Sequence, residues 1–169
     1  SIKKVVIDPV MYSKNSVALL KEEALLSLKK NLFPLATVIT PNIPEAETLL
    51  HAKILSEEDM EAVAQELMNF GSQAVVVKGG HRSEMLSRDV LYYLGRYYWF
   101  EAVRFNTKNT RGTGCTFSSA IAAFLAKGFT IVEAVNHAKE FLTNALEAGA
   151  DFEFSKSGGL GPLYHFYKN

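Results

Sequence analysis

The chain has 169 residues, 48% of them apolar, and its eighteen basic and eighteen acidic side chains cancel to a formal net charge of zero. That length defaults to one domain, and that balance argues against a generic nucleic-acid or anionic-membrane binder, which would carry a basic excess. One cysteine excludes an internal disulfide and fits a reducing, cytoplasmic setting, and no apolar run approaches the length of a membrane span.

The start, SIKKVVIDPV, lacks the long apolar core of a signal peptide and enters a strand-like run at once, so the chain is expected to begin mid-fold. Lys4–Asp8 reads as a buried strand stopped by Asp8-Pro9, followed by a loop over Val10–Ser16 and a helix over Val17–Asn31. Ala36–Ile39 is a short β-branched strand closed by Thr40-Pro41. Asn42 then caps a helix over Ile43–His51, with Pro44 in its first turn. Ser56 and Asp59 open a third helix running through Phe70 and stopped by Gly71. Ala74–Lys78 is a buried strand leading into Lys78-Gly79-Gly80-His81. Asp89–Leu94 and Tyr97–Phe105 form a hairpin turning at Gly95-Arg96. Helices follow over Gly114–Lys127 and Ile131–Ala148, and the aromatic tail Asp151–Asn169 packs on the surface. Strand and helix alternate, which predicts one α/β domain over residues 1–169: a mainly parallel sheet with helices on both faces and ligands at the carboxyl ends of the strands.

Thr107–Ala123 carries the strongest chemical signal. Gly112-Thr113-Gly114 lets the backbone turn tightly, and the helix that opens there presents N–H donors and a partial positive charge, an arrangement suited to phosphate. Cys115 lies in that turn. It reads either as a buried small hydrophobe or as a thiolate stabilised by the helix N-terminus, and a bound triphosphate would oppose that stabilisation, leaving a modest base. Phosphoryl transfer depends mainly on positioning and charge neutralisation, so a modest base suffices. Three further polar clusters fall at strand ends. Asn42 and Glu45 are three apart, which suits Mg²⁺ held through water; from spacing alone an N-cap and a first-turn acid favoured by the helix dipole is the stronger reading. Lys78 reaches a transferred phosphate or is a solvated turn lysine. Asp8 is a turn residue or a carboxylate near metal and phosphate, and Asp89 is equally a surface acid at a strand start. His51, His137 and His165 are scattered and His81 reads as a loop residue, so the histidines suggest no metal cluster.

In order along the chain, VVIDPVM (5–11), TPNIPEAETL (40–49), VVVKGGH (75–81) and NTRGTGCTFSSAIAA (109–123) resemble the ribokinase superfamily, and within it the hydroxymethylpyrimidine/phosphomethylpyrimidine kinases of thiamine biosynthesis. The resemblance implies a ribokinase-like fold lacking its N-terminal part, with its glycine-rich substrate loop. It also implies ATP-dependent phosphorylation of a hydroxymethylpyrimidine and then of its monophosphate. Under that resemblance Gly112, Thr113 and Gly114 form an anion hole with Cys115 as base over the acceptor. Glu45, Asn42 and Asp8 hold Mg²⁺ largely through water, and Lys78, Thr107, Asn109, Arg111, Gly112 and Gly114 border the ATP. Val10 and Met11 are pocket-wall residues, and the family suggests a homodimer. Arg111 departs from the family's usual histidine. Pyridoxal kinases, many with GTGD at the turn and some with cysteine, are the neighbouring reading, and an inactive nucleotide-binding fragment is a third.

Overall fold

Val6–Ile7 (β1), Val38–Ile39 (β2) and Ala74–Lys78 (β3) lie side by side and parallel in the computed structural model, which describes residues 3–11, 19–80, 85–153 and 159–167. All five residues of β3 (AVVVK) are buried, the continuous apolar pattern of a strand covered on both faces. Leu86–Tyr93 (β4) and Arg96–Val103 (β5) complete a five-stranded sheet of order β1-β2-β3-β4-β5, with β4 antiparallel to β3. The sheet is therefore mixed, parallel through its first three strands. The hairpin turns at Leu94-Gly95, one residue earlier than the expected Gly95-Arg96. Both turn residues have positive φ (49° and 74°), the signature of a type I′ turn whose twist matches the strands it joins. Strand β4 also begins three residues before the expected Asp89, which places Asp89 inside the ladder.

The chain divides into two compact units, Ser1–Arg82 with Arg88–Trp99 and Ser83–Ser87 with Phe100–Asn169. In the first, the expected helix over 17–31 is shorter. Glu22–Ser27 (α1) passes into a π-helical turn at Leu28–Leu32 and a 3₁₀ turn at Phe33–Leu35, and residues 17 and 18 lie outside the described residues. Leu20, Leu25 and Leu28 pack on the core while Leu19 and Leu26 stay exposed. The wider turn shifts the phase of the side chains, and Phe33 arrives fully buried just where Pro34 ends the run. Ile43–Leu50 (α2) and Glu57–Leu67 (α3) both start on complete capping boxes, Asn42 with Glu45 and Ser56 with Asp59. Their apolar stripes (Ala46 and Leu49, Met60 and Val63) close over Ile39, Val75 and Val77 in one core cluster.

The second unit is organised by Thr113–Ala126 (α4) and Ile131–Ala148 (α5), joined through Gly128 at φ 98°. Thr130 caps α5 with Glu133 as the other half of its box. Phe117, Ile121 and Leu125 of α4 are buried, as are Val135, Ala138 and Ala145 of α5. Part of the tail returns to this unit: Pro162 bridges Arg111, Leu163 is buried, and the Tyr164 N–H donates to the Ala145 carbonyl at 3.3 Å. Among the described residues no helix is long and apolar enough to cross a membrane.

Candidate active site

The parallel register sets the first cluster. Ile7 is level with Ile39 across β1 and β2, so the residues that follow, Asp8 and Thr40, emerge at the same carboxyl edge. Lys78 ends β3 beside them, its backbone N–H donating to the Pro41 carbonyl at 2.9 Å. Its ammonium donates to Asp8 Oδ1 at 2.8 Å, and both side chains are largely buried, 11% and 14% exposed. The Thr40 hydroxyl lies 3.4 Å from the same carboxylate oxygen and from the Ile7 carbonyl.

Glu45 is 4% exposed. Its Oε2 accepts the Asn42 N–H at 2.8 Å while Asn42 Oδ1 accepts the Glu45 N–H at 2.9 Å. Burial pushes the Glu45 carboxyl above its ordinary value. The Asn42 N–H, the Lys78 charge and the Met11 N–H pull it down, and the Asp8 charge adds to the rise. The capping role of Asn42 and Glu45 is thus realised. A carboxylate has about four lone-pair directions, so capping leaves acceptor capacity over. Among the described residues no three His, Cys, Asp or Glu side chains gather in a way that encloses a metal. The donor set fits only a cation that keeps most of its water, which is the habit of Mg²⁺. Met11 is 3% exposed and belongs to the apolar core, whereas Val10 beside it is exposed.

Lys78 leads directly into a boxed glycine. A Cβ on Gly79 would lie 2.0 Å from the Arg88 carbonyl oxygen, so only glycine fits there. Its N–H donates to Asp89 Oδ1 at 2.9 Å, and Asp89 is buried rather than on the surface. His81 lies outside the described residues.

The second cluster is built from backbone. Gly112 is the N-cap of α4 at φ 87°, in open space, so its glycine serves conformation rather than packing. Gly112 has no side chain with which to cap α4, and Cys115 in the first turn of that helix is exposed. Two devices hold the turn. The Arg111 N–H donates to the Gly161 carbonyl at 3.0 Å. Asn109, buried, donates its amide hydrogens to the Gly149 and Phe152 carbonyls at 2.6 and 2.8 Å, while the Thr107 hydroxyl donates to the Ala150 carbonyl at 3.0 Å. Asn109 and Thr107 therefore tie the turn to the end of α5. The His165 ring lies 2.9 Å from the Thr116 hydroxyl, a contact across 49 residues that has no local sequence signal.

The profile of the phosphomethylpyrimidine kinase family matches residues 1–162. The hydroxymethylpyrimidine/phosphomethylpyrimidine kinase of Haemophilus influenzae is 41% identical over 165 residues, covering 95% of this chain and 60% of that protein. The Staphylococcus aureus pyridoxal kinase in complex with AMP-PCP superposes with a TM-score of 0.87 at 34% identity, covering 99% of this chain and 59% of that one. The Clostridium difficile phosphomethylpyrimidine kinase superposes at 0.72 with 42% identity, covering 85% and 58%. The chain spans about 60% of the length of each of these relatives. Matched over nearly its whole length by the family profile, with its mixed sheet shared by those kinases, the chain belongs to the phosphomethylpyrimidine kinase family.

Proposed function

We propose that the protein transfers the γ-phosphoryl group of ATP to the hydroxymethyl oxygen of 4-amino-5-hydroxymethyl-2-methylpyrimidine, and then to the phosphate so formed, in thiamine biosynthesis. The observation that carries the reading is the match of residues 1–162 to the phosphomethylpyrimidine kinase profile, in a chain about 40% identical to kinases named for these pyrimidines; the strand-end lysine cluster of one unit and, in the other, the left-handed glycine that opens the helix carrying Cys115 each supply chemistry that suits it. In this reading the N–H groups of Gly112, Thr113 and Gly114 receive the transferring phosphate and the Cys115 thiolate takes the acceptor's proton. Lys78, with Thr107, Asn109 and Arg111 around the turn, lies along the ATP phosphates. Glu45, Asn42 and Asp8 hold Mg²⁺ largely through water, the metal supplying charge neutralisation at the phosphate oxygens. Val10 borders the pyrimidine, and the buried Met11 shapes that wall from behind. A homodimer in the cytoplasm completes the reading.

The likeness to pyridoxal kinase in complex with AMP-PCP favours a second reading, with pyridoxal as acceptor. The two are separated by kcat/KM for hydroxymethylpyrimidine, its monophosphate and pyridoxal, measured side by side as acceptor-dependent ADP release. The pyrimidines are expected to lead. A higher value for pyridoxal would reverse the order of the two readings.

A further inference from the structure

Asp89 is a buried carboxylate to which the phosphoryl-transfer reading assigns nothing. It stands directly opposite Lys78 in the β3–β4 register. It is 4% exposed, and its Oδ1 takes the N–H of Gly79, the residue that follows Lys78. Gly79 is hemmed in from the same strand, since the Arg88 carbonyl occupies the place a side chain would need. Arg88 is itself anchored to α3 through Glu57. The chain leaving β3 is therefore fastened to β4 by a hydrogen bond to an ionisable acceptor, and pressed against it by a contact only glycine allows.

We propose that Asp89 is a positioning residue for the phosphate-binding lysine. By holding the Gly79 N–H it fixes the backbone from which the Lys78 side chain extends, and so fixes where the ammonium points. A lysine side chain has four rotatable methylenes, and its placement is only as good as its anchor. In enzyme sites a misplacement of about 1 Å costs up to about a hundredfold in rate. The inference rests on the reading of Lys78 as a phosphate contact.

The test is calorimetric titration of AMP-PCP with Mg²⁺ into the wild type, Asp89→Ala, Asp89→Asn, Lys78→Ala and the Asp89→Ala/Lys78→Ala double variant, each checked for fold by circular dichroism. Asp89→Ala is expected to weaken binding about tenfold. Asp89→Asn, whose amide oxygen still accepts the Gly79 N–H, is expected to stay within about threefold. Because Asp89 acts through Lys78, the double variant is expected to match Lys78→Ala within about twofold. Losses that multiply in the double variant would overturn the proposal, since a general structural role adds to the loss of Lys78. If Asp89→Ala does not fold, Asp89→Asn decides: binding near wild type supports the acceptor role, and a folded variant with a tenfold loss overturns it. If Lys78→Ala binds as the wild type does, the phosphate role of Lys78 is what fails, and the role of Asp89 falls with it.

Discussion

Around Lys78 the charges are matched within the protein, with Asp8 on the ammonium and backbone N–H groups of Asn42 and Met11 on Glu45. Around Gly112 the means are different: a left-handed glycine, which has no side chain to cap with, opens the helix, and an exposed thiol sits in its first turn. The first region is organised by side chains that brace one another before any ligand arrives, and the second by backbone, held from behind by Asn109 and the returning tail. Damage to the two regions should therefore appear in different measurements. Changes near Lys78 should move stability and pH response, and changes near Gly112 should move turnover while the fold survives.

The largest effect is expected at Cys115. Cys115→Ala should lower turnover on hydroxymethylpyrimidine by about 10²–10⁴-fold, the usual worth of a positioned base, with AMP-PCP affinity within about threefold of wild type. The monophosphate is a sharper probe, because a phosphate monoester with a second pKa of about 6 is already ionised at neutral pH. The variant should therefore lose less on the second phosphorylation than on the first. Equal losses on both acceptors would remove the base role and leave Cys115 a positioning group.

The two glycines are held by different constraints. Gly79→Ala drives a methyl into the Arg88 carbonyl and should cost about 3 kcal/mol or more in denaturant melts. Gly112→Ala meets open space and bears only the left-handed penalty, about 1–2 kcal/mol. Similar losses from both would mean that the two turns are not held by different means.

The smallest effect is expected at Glu45. Glutamine keeps the capping box, since Gln also serves at the third helical position, so Glu45→Gln isolates the charge. Burial raises the carboxyl's pKa, so the fold favours its protonated form. That contribution is complete below the ordinary carboxylate value and is lost as pH rises through the raised one. The variant should melt with a flatter pH dependence across that interval and gain on the wild type toward neutral pH. Its Mg²⁺ requirement for nucleotide binding should rise about tenfold. In the wild type that requirement should fall as pH rises and Glu45 ionises. A wild-type pH slope in the variant, or an unaltered Mg²⁺ titration, would remove Glu45 from the cation site.

Where the determinants were local, the sequence was readable. The runs AVVVK and Ile131–Ala148 carry their own boundaries, and the Asn42/Glu45 and Ser56/Asp59 pairs announce their helices three residues apart. The leucines after residue 18 suggested one long helix, because a π-helical turn leaves no mark in composition. The cross-links of the candidate site were illegible for a different reason. The Lys78–Asp8 pair joins residues 70 apart, Asn109 reaches 40 residues to Gly149, and the Arg111–Pro162 bridge fastens the glycine turn from the tail. Asp89 is within reach of the sequence: a strand starting at Leu86 places it opposite Lys78, whereas a strand starting at Asp89 leaves it equally a surface acid.

The proposed transfer of phosphate from ATP onto a pyrimidine hydroxymethyl group can be followed by phosphorus-31 NMR of the protein with Mg-ATP and hydroxymethylpyrimidine. The γ-phosphate signal should fall as ADP and a phosphate monoester appear, followed by the diphosphate ester. An unchanged ATP spectrum, or inorganic phosphate as the only new signal, would contradict that transfer.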